Sequence, residues 1–340
     1  MKGDLSKKRC LADNRRYADL INGVVFGGEQ KLQPMDLSDL DGHVQVPTGE
    51  DGKSRPLYRD LVKKAAFGVN FVVIGLENQE KIHYLMPVRA MGYDFAEYWR
   101  QADRRREEEK QAPGITSAEF LSGFRKESRL NPCVTLVLFF GEEWDGSRSL
   151  HELLDLEGIP ESLRSYINDY AIHVIEVRKL PDLSVFQTDL RQIFGFIRCS
   201  EDIERLRELV AGDPAFQELD EAAYAMMAEY GNARELLGIK KYRGKDGKVD
   251  MCKGIMGMVE EGREEGRMEG RMVGLTEGIS STILDLLEDL GTVPESLREQ
   301  IAAISDLEIL RKLHKLAARA GSLEEFEKNV HDVQNYFSLN

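Results

Sequence analysis

The stretch YRDLVKKAAFGVNFVVIGLENQ, residues 58–79, holds two strand-like runs around a short Gly/Asn turn. Leu57 to Phe67 and Phe71 to Asn78 flank Gly68-Val69-Asn70, the pattern of a β-hairpin. The second run, FVVIGL, shows almost no alternation of apolar and polar residues. Both of its faces are therefore expected to be buried, which makes it a central strand rather than an edge. With the turn centred near Val69, antiparallel partners have numbers summing to about 138, which sets Asp60 beside Asn78, between Glu77 and Gln79. Glu77 and Gln79 are two apart and project from one face of their strand. A shift of one residue in the turn, or a bulge, would bring Asp60 onto the same face as Glu77. Two carboxylates and a side-chain amide would then converge at the end of a buried strand.

Two carboxylates that close repel each other unless something positive lies between them. Mg²⁺ takes oxygen ligands from one or two carboxylates and completes its shell with water and substrate phosphate. Bound there, it can lower the pKa of a water and stabilise charge developing on a phosphate. Gln79 can hold a water through its amide but carries no charge.

On either side, the chain alternates strands with helical segments. Residues 15–26 have Tyr17, Leu20, Ile21, Val24 and Val25 at helical spacing, and Gly27-Gly28 ends the run. Residues 30–56, with three prolines and many acids, read as an irregular connection. A helix is expected after Ile82, with Pro87 near its start and Val88, Met91, Phe95 and Tyr98 on one face. Tyr84, Tyr93 and Trp99 at that spacing read as core first and as base-stacking groups second. Pro113-Gly114 breaks the helix; Val134–Phe140 and Ile172–Val177 are further strands, and Leu150–Leu156 is helical between them. This order predicts an α/β layer structure.

From Ser200 onward the pattern is almost all helical, with a polar hinge at 243–249. Gly262, Gly266, Gly270, Gly274 and Gly278 then recur every fourth residue, with EGR triplets at 261, 265 and 269. The glycines suit either a smooth stripe for helix–helix approach or a tolerated charged tail. Ser305 to Glu308 and Ser322 to Glu325 are capping boxes for short terminal helices, and Pro294 opens another.

Composition sets the outer limits. With 42% apolar and 31% charged residues, the chain can bury a core. No apolar run reaches the roughly 20 residues of a membrane helix, and MKGDLSKKRC does not resemble a secretory signal, so a cytoplasmic location is expected. The four cysteines and six histidines are scattered, which argues against a zinc site. The net charge of −14 opposes nucleic-acid binding, but basic residues cluster at Lys2, Lys7, Lys8, Arg9, Arg15 and Arg16. A second cluster comprises Arg100, Arg104, Arg105, Arg106, Lys110, Arg125, Lys126 and Arg129.

The chain resembles the nuclease-fold transposases of the PD-(D/E)XK class, in the branch of recombination-promoting nuclease/putative transposase proteins. The resemblance rests on NRRYADLINGVVFGGEQ (14–30), YRDLVKK (58–64) and VVIGLENQEKIHYLMPVRAMGYD (72–94). It continues in FLSGFRKESRLNPCVTLVLFFGEEWDG (120–146) and VDMCKGIMGMVEEGREEGR (249–267). It implies a restriction-endonuclease-like core over 1–200, a helical extension over 201–245, and a repeat helix with short terminal helices over 246–340. It also implies metal-dependent cleavage of DNA, with Mg²⁺ (or Mn²⁺) held by Asp60 and Glu77. Gln79 stands at the third position of the (D/E)-x-K step, and Asp19 is the candidate acid on the first helix. Lys is absent from that third position. Either Lys63, Lys64 or Lys81 reaches the site from elsewhere, or Gln79 suffices. The alternative is a catalytically weak DNA-binding or interaction module. In either case a homo-oligomer through residues 250–290 is expected.

Overall fold

The computed structural model describes residues 9–46, 55–109, 113–231, 233 and 247–328. Lys2, Lys7, Lys8 and Lys110 of the basic clusters lie outside the described residues, as do 47–54 of the irregular connection and 243–246 of the hinge. The strands are β1 (Leu37–Asp39), β2 (His43–Val46), β3 (Arg55–Tyr58), β4 (Leu61–Phe67), β5 (Asn70–Gln79), β6 (Cys133–Phe139) and β7 (His173–Glu176). The α-helices are α1 (Asn14–Phe26), α2 (Met86–Glu109), α3 (Ser117–Ser122), α4 (Glu161–Arg164) and α5 (Leu190–Cys199). They continue with α6 (Ile203–Gly212), α7 (Glu221–Tyr230), α8 (Met251–Glu288), α9 (Glu295–Ala302) and α10 (Leu307–Ala317).

The fold is α/β, with a mixed five-stranded open sheet in the order β1-β4-β5-β6-β7 and a helical C-terminal region. β5 is the central strand, and Val73 to Asn78 are all buried. The hairpin turn is two residues long: Phe67 pairs with Asn70, and Gly68 takes a left-handed φ of 63° at the first turn position. β5, β6 and β7 run parallel. Parallel neighbours need a long crossover, which α2 and α3 supply between β5 and β6.

Each face of the sheet has its own cover. Lys63, paired with Ile74, reaches Asn14 Oδ1 at 2.6 Å and the Ala12 carbonyl at 2.9 Å, so α1 lies on that face. Asp13 caps α1 by accepting from the backbone N–H groups of Arg15 and Arg16, and Gly27 ends it at φ 62°. Buried Arg16 ties α1 to Asp189 before α5 and to Asp220 before α7. On the opposite face Met86 and Ala90 of α2 pack with Val137, Phe139, Trp144 and Ile172.

Several local expectations need correction. The connection over 30–56 contains β1 and β2 and the start of β3, because its alternating residues find antiparallel partners. Leu150–Leu156 holds only a 3-10 turn at His151–Leu153. The strand-like run from Leu57 is broken at Arg59 and Asp60, where β3 ends and β4 has not begun. α10 is capped by Asp306, which accepts from Glu308 and Ile309, and not by Ser305.

The chain divides into two compact units, 1–255 and 256–340. The second has a small core of its own: Ile283, Leu287, Leu297, Ile301, Leu310, Leu313 and Phe326. Between these parts of α8, residues 260–275 are exposed on every side of the helix. A Cβ at Gly262, Gly266, Gly270, Gly274 or Gly278 would meet no atom within 4 Å. Each glycine therefore weakens the helix by ~1 kcal/mol relative to Ala, with no packing in return within one chain. A triple Gly266→Ala, Gly270→Ala, Gly274→Ala protein is expected to gain helix stability on this scale if the stripe is solvated. Circular dichroism melting checks it, and lower stability with a smaller mass by light scattering would instead mark the stripe as a self-association face.

Candidate functional site

Side chains alternate along β5, so Val73, Gly75, Glu77 and Gln79 share the face covered by α2. The β4–β5 register pairs Leu61 with Leu76, so partner numbers sum to 137, not 138. The difference of one is the two-residue turn, and it sets Asp60 across from Glu77, on the same face. Asp60 lies at the bend before β4, where the N–H of Asn78 has no strand partner. Its Oδ2 accepts that N–H at 2.8 Å. The carboxylate thus stands in for a missing ladder carbonyl, which fixes it beside the end of β5.

Glu77 has no solvent exposure. Neither of its carboxylate oxygens has a hydrogen bond of close geometry among the described residues; its weaker donors are the Asp60 backbone N–H and the Tyr93 hydroxyl. Arg89 Nη2, from the first turn of α2, lies 3.3 Å from Oε2. Burial first, and the nearby Asp60 charge second, push the Glu77 pKa up to about 7, and Arg89 only partly offsets this. Arg89 Nε donates to the Tyr93 hydroxyl at 2.7 Å. Burial disfavours the Arg89 charge, but Glu77 and Tyr93 outweigh it, and its pKa is raised.

Beneath this pair lies a second one. Arg59 is buried and ion-paired to Asp94 of α2. Asp94 also accepts from Thr135 Oγ1 at 2.7 Å and from the Tyr170 hydroxyl at 2.5 Å. A Cβ at Gly75 would come within 2.9 Å of Arg59 Nη1. Glycine in the middle of a central strand is therefore explained by the guanidinium passing over it. The Tyr93 ring has Arg59 Cζ at 5.2 Å and Arg89 Cζ at 5.6 Å from its centroid.

The residues singled out in the sequence fall as follows. Asp60, Glu77 and half-buried Gln79 share one sheet face at the end of β5. Asp19 does not join them. It accepts from the N–H groups of Gln187 and Thr188 and from the Thr188 hydroxyl, and so anchors the loop before α5. Lys63 is on the opposite face, paired with Asp39. Lys64 stacks on Phe71 at 3.8 Å, toward the hairpin turn. Lys81 lines a cleft with Glu80, Gly141, Glu143 and Arg178. The cation beside Glu77 is Arg89, which sequence reasoning missed although it lies in the MPVRAMGYD segment. Arg105 and Arg106 are paired to Glu108 and Asp103 on their own helix, as expected of an exposed helical face, whereas Arg100 is paired to buried Glu97.

α2 is rotated from the expected orientation. Tyr93, Asp94 and Glu97 are buried, whereas Val88, Met91, Phe95 and Trp99 are exposed. Tyr84 is also exposed, and Tyr98 is half-buried, its hydroxyl accepting the Cys133 N–H at 2.9 Å. The reason is on the sheet. The face it covers carries Glu77 and Arg59, and buried charges need partners more than apolar side chains need cover.

Comparison with protein-family models, with curated proteins and with solved structures gives no match for this chain. Among the described residues, no group of three or more His, Cys, Asp or Glu side chains is arranged to hold a metal ion. No described helix is long and apolar enough to cross a membrane.

Proposed function

We propose that this chain is a metal-dependent DNA endonuclease of the PD-(D/E)XK type, with a restriction-endonuclease-like core, allied to the recombination-promoting nuclease/putative transposase proteins. The observation that carries the reading is Glu77: a fully buried carboxylate, with no hydrogen bond of close geometry to either oxygen, beside a second carboxylate at the end of the central strand. Such an arrangement is costly without a cation. Asp60 and Glu77 would hold Mg²⁺ or Mn²⁺, a hard ion that accepts two carboxylates and completes its shell with water. The ion would supply a water of lowered pKa and charge neutralisation at the phosphate.

The chain's own residues do the rest. Asp60 is fixed by the Asn78 N–H, so one carboxylate is preorganised. Gln79, two residues beyond Glu77 on the same face, orients a water by its amide without taking up its proton. Gln79→Lys is expected to keep or raise metal-dependent cleavage, since it adds a cation on a face that already carries both acids. Loss of all cleavage with the fold intact would show that Gln79 makes a contact Lys cannot.

The deciding assay is plasmid cleavage by the purified protein with Mg²⁺, with Mn²⁺ and with chelator, beside a Glu77→Gln control. Cleavage that is absent in every arm rejects the reading. A second reading, a catalytically weak DNA-binding or interaction module that oligomerises through residues 250–290, is favoured by Arg89. Its guanidinium already gives Glu77 a counter-charge. Thermal unfolding with added Mn²⁺ separates the two, because an ion that binds only the folded state raises the midpoint.

A further inference from the structure

The ion pair between α2 and β5 has a feature that a purely structural salt bridge lacks. A structural Arg–carboxylate pair is short and bidentate, with the carboxylate's lone pairs satisfied. Here the nearest approach is 3.3 Å, longer than a charge-assisted hydrogen bond, and neither Glu77 oxygen has a hydrogen bond of close geometry. The two partners also differ in access. Glu77 is sealed, while the Arg89 side chain is 31% exposed and half-buried at the helix surface. Its other end is held by Tyr93, through Nε at 2.7 Å. The neighbouring residues Leu85, just before α2, and Val88 are exposed.

We propose that Arg89 is the resident counter-ion of the Asp60–Glu77 pair, that an incoming divalent cation displaces it, and that the displaced guanidinium then binds the substrate phosphate. The inference rests on the nuclease reading and deepens it by naming the group that replaces the missing Lys. The physical basis is charge. One guanidinium balances half of two ionised carboxylates. A divalent ion held by Asp60 and Glu77 would balance both charges and would oppose the guanidinium in a low-dielectric site. Arg89 has an outward path, because its side chain, though turned to the sheet, is 31% exposed. Once outside it presents a planar pair of donors suited to a phosphate.

The test uses the full-length protein at pH 8.5. Mg²⁺ binding is measured by titration calorimetry and cleavage with saturating Mg²⁺, for wild type, Arg89→Gln, Arg89→Lys and Glu77→Gln. Arg89→Gln is expected to bind Mg²⁺ about ten-fold more tightly, because the competing charge is gone. It is expected to cleave about a hundred-fold more slowly, because a donor to the phosphate is gone. Arg89→Lys keeps a charge against Glu77 and loses the planar fork. It should bind Mg²⁺ as wild type does and cleave more slowly. It carries the test if Arg89→Gln does not fold, and wild-type cleavage by Arg89→Lys then overturns the proposal. Arg89→Gln binding Mg²⁺ no more tightly than wild type, or cleaving at its rate, overturns the proposal but leaves the nuclease reading intact, provided Glu77→Gln abolishes both. A wild type that neither binds Mg²⁺ nor cleaves DNA overturns both.

Discussion

Glu77→Gln is expected to abolish the proposed metal-dependent cleavage and to remove a pH-dependent loss of stability from the metal-free protein. The catalytic part follows from the loss of a charged ligand. A bound ion supplies several kcal/mol of charge stabilisation at the reacting phosphate, so a fall of about a thousand-fold or more is expected. The stability part follows from the raised pKa. Glu77 titrates at about 7 in the folded chain against 4.5 for an ordinary Glu. Between those values the folded state holds a proton that the unfolded state has released. Its stabilising contribution is complete below 4.5 and lost as the pH rises through 7, amounting to about 3 kcal/mol. Glutamine has no such proton. Urea unfolding in chelator at pH 4.5 and pH 8 should therefore favour Glu77→Gln over wild type by about that amount at the higher pH. Parallel behaviour of the two proteins would mean that the buried carboxylate is solvated or compensated.

Asp94→Ala has the largest expected effect on stability. It strips the counter-charge from buried Arg59 and the acceptor from the Thr135 and Tyr170 hydroxyls. Breaking a buried pair by removing one partner costs about 3–5 kcal/mol. A domain has about 5–15 kcal/mol in all, so the variant should unfold at much lower denaturant. Replacing both partners, Arg59→Met with Asp94→Leu, should recover most of the loss, since neither charge is then left alone. The double variant also isolates function: Asp60 follows Arg59 directly, and restored stability with lost cleavage would show that Arg59 positions Asp60. An Asp94→Ala protein with the wild-type unfolding midpoint would rule out the buried network as a stabilising element.

By itself the sequence determined the α/β class, the hairpin that holds the central strand β5, and the nearness of Asp60 to Glu77 and Gln79 at the end of that strand. These are carried by local and nearly local signals. FVVIGL has no polar face, so it must be covered on both sides. A glycine turn between two strand-like runs limits their register to one or two choices. The same signals foretold the glycine repeat of α8 and the end of α1 at Gly27. Tertiary structure decided the register itself, because half a residue in the turn separates the sums 137 and 138, and only the pairing of Phe67 with Asn70 chooses between them. It also decided which way α2 turns. Amphipathic spacing pointed to Val88, Met91 and Phe95 as the inner face, but the sheet beneath carries Glu77 and Arg59. A helix that covers buried charges must present Arg89 and Asp94 to them, whatever its apolar pattern. One trace of this was present in the chain: Gly75, a side chain missing from the middle of a buried strand, is the space that Arg59 fills. Asp19 shows the opposite limit. An acid on an apolar helix face is equally suited to a metal or to a loop's N–H groups, and only the arrival of Gln187 and Thr188, far along the chain, assigned it to the loop.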